Sequence, residues 1–380
     1  MNTRFVVPDV DAWTPLRVAA PAILLAKAKP LFELETSARG GADMDAVHDM
    51  RVASRRLREA MRLLGPLYPR RESRVWYRRI RSITRALGPV RDSDVFIDSF
   101  GTLAPGLGEG GRRAVAFMVG FRSGQRVQEL ALLNRELSRL DLDKSRAQFA
   151  RFVQSLSDTA DAGRMLAEFA HAEVASRAAV VFAAQPSALI EPNILDQHQL
   201  RIDYKRIRYA VEAFAPCYGD TFDELHGILT SFQDALGDLH DAHVFLDMLS
   251  DPQRASVAAR AGVGPPDIAE VVAVIEAQAH EEFNRFRSLA GDHPPERLLP
   301  ELLLPLAQAQ PSQCTIEGDA DKSGEAASVP RAEAHARRPA QEVLPSNDAR
   351  IAPLVILQEK PWEDGWIDGK SVTVEHPTGT

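Results

Sequence analysis

An eleven-residue pattern occurs twice in this chain: His48-x-x-Arg51-Val52-x-x-Arg55-Arg56-Leu57-Arg58 returns 150 residues later as His198-x-x-Arg201-Ile202-x-x-Lys205-Arg206-Ile207-Arg208. A second pattern, Leu87-Gly88-x-x-Arg91-Asp92-x-x-Val95-Phe96, returns at an offset of 149 as Leu236-Gly237-x-x-His240-Asp241-x-x-Val244-Phe245. Two motifs that keep their spacing across such a distance require two copies of one structural unit. Whatever folds around the first copy must fold around the second.

Each copy opens on an amphipathic helix. With 100° per residue, Arg51, Arg55, Arg58 and Arg62 fall within about 80° of one another and of His48. Met50, Ala53, Leu57, Ala60, Met61 and Leu64 occupy the opposite side. Gly65, Pro66 and Pro69 end the helix, and a second one follows over about residues 71–87. There Arg74, Arg78, Arg81 and Arg85 share a face with Arg71, opposite Trp76, Ile80, Ile83 and Leu87. Short connections favour antiparallel neighbours, so the pair is expected as a helical hairpin with arginines turned to one groove.

The rest of the chain repeats as well. Residues 14–36 read as a helix broken or kinked near Pro21 and Pro30, with a counterpart near 164–188. Asp43 or Asp45 is placed to cap the helix that follows. After Gly88–Pro89 a short helix is expected to start, with Asp92 and Asp241 capping such helices or pairing with an arginine. A long helix over about 112–140 has its counterpart near 266–288, and one or two Ala-rich helices fill 143–183. No strand-like alternation occurs in the first 307 residues, so the body is expected to be all-α.

Charge is segregated on this frame. Between residues 48 and 91 stand thirteen arginines against Asp49, Glu59 and Glu72, in a chain of 380 residues whose formal net charge is −8. Such a block marks a polyanion-binding surface, because a merely solvated face would interleave acids with its bases. Arginine suits phosphate: its planar fork donates paired hydrogen bonds and its charge does not titrate. The copies are unequal, since residues 222–236 carry no Lys or Arg and bear Asp223, Glu224 and Asp234 instead.

The paired H-x-x-R-V/I-x-x-R/K-R-x-R and L-G-x-x-R/H-D motifs resemble those of the CHAD family, the conserved histidine α-helical domain. The resemblance covers residues 10–307, divided as 10–142 and 143–307. It implies two similar helical bundles related by a pseudo-twofold repeat, with a basic groove or channel between them that binds inorganic polyphosphate. It carries onto His48, Arg51, Arg55, Arg56, Arg58, His198, Arg201, Lys205, Arg206 and Arg208. Arg74, Arg78, Arg81 and Arg85 match the family's basic second helix less specifically, and Arg62 extends the first ladder. The triphosphate-tunnel enzyme domain that often accompanies the family has no counterpart here.

The expectation is therefore non-catalytic polyphosphate binding, with granule-associated proteins as further partners and a cytoplasmic location, on polyphosphate granules. A nucleic-acid-binding module is the alternative, disfavoured because the basic faces carry almost no aromatic residues for base stacking. A metal-dependent phosphohydrolase using His198, His240, Asp241 and His243 is a weaker one, because Arg91–Asp92 stands where the repeat has His240–Asp241. His48 and His198 are open to three readings: phosphate contact, structural donor or metal ligand. No catalytic residue, metal site or cofactor is read from the sequence. The two cysteines, Cys217 and Cys314, suggest neither a disulfide nor a thiolate site. Asp9 and Asp11 precede the apolar run at 18–25, which argues against a signal peptide, and Pro21 interrupts that run, so no membrane span is expected. Residues 308–380 read as a largely disordered acidic tail with a short docking motif at 351–370.

Overall fold

The structure, a computed structural model, describes Phe5 and residues 7–41, 43–156 and 163–308. All of these lie in the unit Met1–Cys314; the second unit, Thr315–Thr380, is outside the described residues, and with it the expected tail motif at 351–370 and most of the expected disorder. Among the described residues the chain is helical throughout, without a strand.

The first repeat contains α1 (Leu16–Glu33), the short α2 (Glu35–Gly40), α3 (Met44–Leu64), α4 (Arg70–Leu103) and α5 (Glu109–Leu140), followed by α6 (Leu142–Phe152). The second contains α7 (Leu166–Ala188), α8 (Ile194–Ala213), α9 (Phe222–Leu249), α10 (Pro252–Arg260), α11 (Pro265–Asp292) and α12 (Pro295–Gln308). In the first repeat α1 packs on α3, α3 on α4 and α4 on α5; in the second, α7 packs on α8, α8 on α9 and α9 on α11. Between the repeats α1 meets α7, α3 meets α8 and α5 meets α11. These three helices of the first repeat thus each touch the helix at the corresponding place in the other copy.

Individual residues do the same. Among the described residues, the one isolated backbone bridge joins Pro15 to Met165, with Leu16 N–H donating to Arg164 O (2.9 Å) and Leu166 N–H to Thr14 O (3.0 Å). Phe96 meets Phe245 edge to face, and Phe100 packs against both rings. Buried apolar residues from all of these helices form one continuous core. The repeats are therefore not separate globules; each covers the other's apolar face.

Several local expectations are met and others are corrected. Asp43 caps α3, accepting from the N–H groups of Asp45 (2.9 Å) and Ala46 (3.1 Å). The break near Pro21 and Pro30 is not found: both lie inside α1. Nor does a new helix begin after Gly88–Pro89, for α4 runs through Pro89 to Leu103. Proline removes one helical hydrogen bond there, at a cost of about 3 kcal/mol. The buried stripe of Ile83, Leu87, Val90 and Phe96 continues across it, and burial of such side chains at about 1.5–3 kcal/mol each outweighs that cost. Gly237 is likewise inside α9. Asp92 and Asp241 are therefore mid-helix, and helix capping is not their role.

Candidate functional site

Each repeat brings its two motifs together on a hairpin. In the first, α3 and α4 are pinned in the core by the hydroxyl of Thr84, which donates to Ser54 Oγ at 3.0 Å. This aligns Arg51 with the second motif, and its guanidinium donates to Asp92 at 3.4 Å. The close approach depends on Gly88: a Cβ at this position would lie 2.8 Å from Arg51 Nη1. In the second repeat Arg201 stands near enough to Asp241 to favour its ionised form. The arginine of the first motif faces the aspartate of the second in both copies.

The histidines follow the same rule. His198 Nδ1 lies 3.1 Å from His240 Nδ1, with ring centroids 4.5 Å apart. The equivalent position to His240 is Arg91, and Arg91 lowers the pKa of His48, second to the burial of the ring. Burial and the surrounding cations, Arg201 foremost, hold His240 far below the ordinary histidine value. Among the described residues no group of three or more His, Cys, Asp or Glu is arranged to hold a metal ion.

The two hairpins meet where α3 packs on α8, and cations from both converge there. Lys205 has its pKa pushed well below the usual lysine value, first by burial and then by Arg201, Arg55 and Arg51. Arg55 is the residue to which Lys205 corresponds in the repeat. Asp241, raised by its own burial, also feels the charge of its counterpart Asp92. Five cations (Arg51, Arg55, Arg91, Arg201 and Lys205) thus surround two carboxylates at the seam.

Besides Arg51, the arginines Arg56, Arg208, Arg62 and Arg206, all expected to face a ligand, are engaged in ion pairs. Arg56 donates from Nε to Glu212 Oε2 at 2.5 Å and from Nη2 to Oε1 at 3.2 Å. Arg208 donates to the same carboxylate at 2.5 Å, and His226 Nε2 lies 3.0 Å from it. Lys27 of α1 donates to the backbone carbonyl of Glu212 at 2.9 Å. Burial disfavours the charge on Glu212, but the His226 hydrogen bond and the Arg208 and Arg56 guanidiniums outweigh it and bring its pKa to about 2. Arg62 pairs with the buried Glu59 at 3.2 Å and donates to the Tyr77 hydroxyl at 3.0 Å, while Arg206 donates to Asp203 at 2.9 Å.

The remaining ladder residues are spread along α3 and α4. Arg58, Arg74 and Arg81 are half-buried, whereas Arg78 and Arg85 are exposed; Arg78 Nε donates to Arg74 O at 3.3 Å. Residues 91, 92, 240 and 241 were not among the ligand-binding residues expected from the sequence, although the repeated second motif had marked all four positions.

This arrangement pairs with what the chain matches. The model of the CHAD domain family covers residues 22–250, well over half of the chain. The chain belongs to the CHAD family. Among solved structures, the crystal structure of the CHAD domain from the plant Ricinus communis aligns with a TM-score of 0.51 and 22% identity, over 80% of this chain and 96% of that one. PptA from Streptomyces chartreusis aligns with a TM-score of 0.52 and 17% identity, over 78% and 99% respectively. At these identities the likeness is one of CHAD fold. No curated protein matches the chain.

Proposed function

We propose that this CHAD protein binds inorganic polyphosphate at the seam between its repeats, as a non-catalytic binding module. The observation that carries the reading is the crowding of Arg51, Arg55 and Arg201 around Lys205, like charges from both repeats at one half-buried place. Desolvated like charges are costly, and a polyanion spanning the seam would relieve that cost. The meetings of Pro15 with Met165 and Phe96 with Phe245, and the nearness of Arg55 to Lys205 and Asp92 to Asp241, support a local two-fold axis through the seam. A linear phosphate polymer lying across such an axis would be gripped by both copies.

In this reading Arg51, Arg55, Arg201 and Lys205 are the principal contacts, with Arg91 beside them. His48 and His198 line the two ends of the cluster, and Arg58, Arg74, Arg78, Arg81 and Arg85 extend the track along α3 and α4. Arg56 and Arg208 fasten the repeats through Glu212, while Arg62 and Arg206 hold their helices through Glu59 and Asp203. Polyphosphate granules and the proteins on them are the proposed setting, in the cytoplasm. Among the described residues no helix is long and apolar enough to cross a membrane.

The test is polyphosphate capture by wild type beside Arg51→Glu/Arg55→Glu and Arg201→Glu/Lys205→Glu, with helicity checked by circular dichroism. Loss of capture in both folded variants is expected; full retention in both would refute the site. With about five to eight phosphates contacted, the log–log salt slope should lie at about −3.5 to −6, using the coefficient for single-stranded nucleic acids. Polyphosphate should also displace the protein from RNA, and failure to do so would favour nucleic acid as the ligand.

A further inference from the structure

We infer that a second anion site, separate from the seam, lies in a cleft of about 520 Å³ between α4 and α6, and that it takes a nucleoside polyphosphate. Its residues share nothing with the seam cluster. Arg71 and Arg79 of α4 and Arg151 of α6 line it, over an apolar wall of Val75, Trp76 and Phe152. Arg71 and Arg151 are exposed at the rim.

Arg79 is held in place before any ligand arrives. Its guanidinium lies 4.8 Å from the Trp76 ring centroid, and Nη1 donates to Gln148 Oε1 at 3.1 Å. The wall is equally fixed: Trp76 meets Phe149 edge to face at 5.0 Å, and Phe152 packs on Tyr68 at 4.9 Å. The single acid lining the cleft, Glu72, accepts from the hydroxyl of Ser155 at 3.3 Å. Among the described residues no carboxylate forms an ion pair with Arg71, Arg79 or Arg151. A fixed cation flanked by two exposed ones suits a run of phosphates, since paired guanidinium donors bind phosphate strongly.

The apolar wall decides between ligand classes. A bare phosphate chain gains nothing from Val75, Trp76 and Phe152. An aromatic base gains contact with the half-buried Val75, the cleft-lining edges of Trp76 and Phe152 and the guanidinium plane of Arg79, while its phosphates reach Arg71 and Arg151. The cleft volume is within the range of small-molecule sites.

Because the seam is itself proposed to take polyphosphate, equilibrium dialysis with ATP, and separately with inorganic triphosphate, tests this on the full chain carrying Arg51→Glu/Arg55→Glu. ATP is expected to bind at least about fivefold tighter than triphosphate, the lower end of what stacking one base contributes. Arg151→Gln and Arg79→Gln should each weaken ATP binding about tenfold, the scale of one charge-assisted contact. Arg151 is exposed, so its variant reports on binding even where Arg79→Gln perturbs packing. Three results would overturn the inference: no ATP binding in that background, binding unchanged by both Arg151→Gln and Arg79→Gln, or equal affinity for ATP and triphosphate.

Discussion

Phe96 and Phe245, at equivalent positions of the two repeats, meet edge to face with ring centroids 5.4 Å apart and planes at 88°. Phe96 is 1% exposed and Phe245 9%. The contact sits one helical turn beyond Asp92 and Asp241, so the same pair of helices that carries the two carboxylates of the polar cluster also closes part of the core. Phe245→Ala should cost about 3–5 kcal/mol, the usual range for a buried phenylalanine. Urea unfolding measures this, and a cost below about 1 kcal/mol would show that the repeats do not depend on this contact.

Glu212 makes a pH-dependent contribution. Its carboxyl is lowered from 4.5 to about 2, so the stabilisation is complete above the unfolded value of 4.5 and drains away as pH falls toward 2. The window corresponds to about 3 kcal/mol. Glu212→Gln leaves Arg56 and Arg208 without their buried countercharge and should destabilise the protein by about 3–5 kcal/mol at neutral pH. The gap between variant and wild type, followed by urea unfolding, should narrow between pH 4.5 and 2. A constant gap would contradict this role for the carboxylate.

Gly88 and Gly237 are equivalent in sequence but not in space. A Cβ at Gly88 would meet Arg51 Nη1 at 2.8 Å, whereas one at Gly237 would meet nothing within 4 Å. Both are helical, so alanine at either gains about 1 kcal/mol of helix propensity. Gly237→Ala should therefore be stabilised with unchanged polyphosphate affinity. Gly88→Ala should push the flexible end of Arg51 away from Asp92 and weaken polyphosphate binding several-fold, with little change in stability. Identical binding by the two variants would remove Arg51 from the site.

Ligand binding at the seam should take up protons. Lys205, His48 and His240 all have lowered pKa values, caused first by burial and then by cations that include Arg201, Arg55, Arg51 and Arg91. Asp241 alone among the named neighbours of Lys205 acts in the opposite sense. An anion beside these groups favours their charged forms, so affinity for polyphosphate should fall as pH rises. Titration calorimetry in buffers of different ionisation enthalpy should show net proton uptake near neutral pH. Buffer-independent heats would contradict the coupling.

Much of the fold was legible because its signals are local or repeated. The apolar stripes through Leu57 and Ile80 marked α3 and α4, and the constant offsets marked their counterparts α8 and α9. Pro89 misled because a proline's cost is local while the burial that offsets it, at Val90 and Phe96, is tertiary. The ladder arginines showed which face is basic but not which cations serve the fold. Arg56 finds its carboxylate 156 residues away in Glu212, and no spacing rule on one helix reveals such a partner. The Arg51–Asp92 pair, by contrast, was implicit in two motifs repeated together, since residues that recur at linked offsets tend to share one site.

The unequal charge of α4 and α9 has a consequence for ligand length. The arginines from Arg74 to Arg85 span about 16 Å of helix, at 1.5 Å per residue. The matching stretch of α9 offers Asp223, Glu224 and Asp234, the last with its pKa raised by burial, and no Lys or Arg. A growing polymer would gain contacts on one side of the seam and meet an end-stop on the other. Affinity should then climb with chain length until the α4 track is full and level off, which gives a duplicated fold a one-sided footprint.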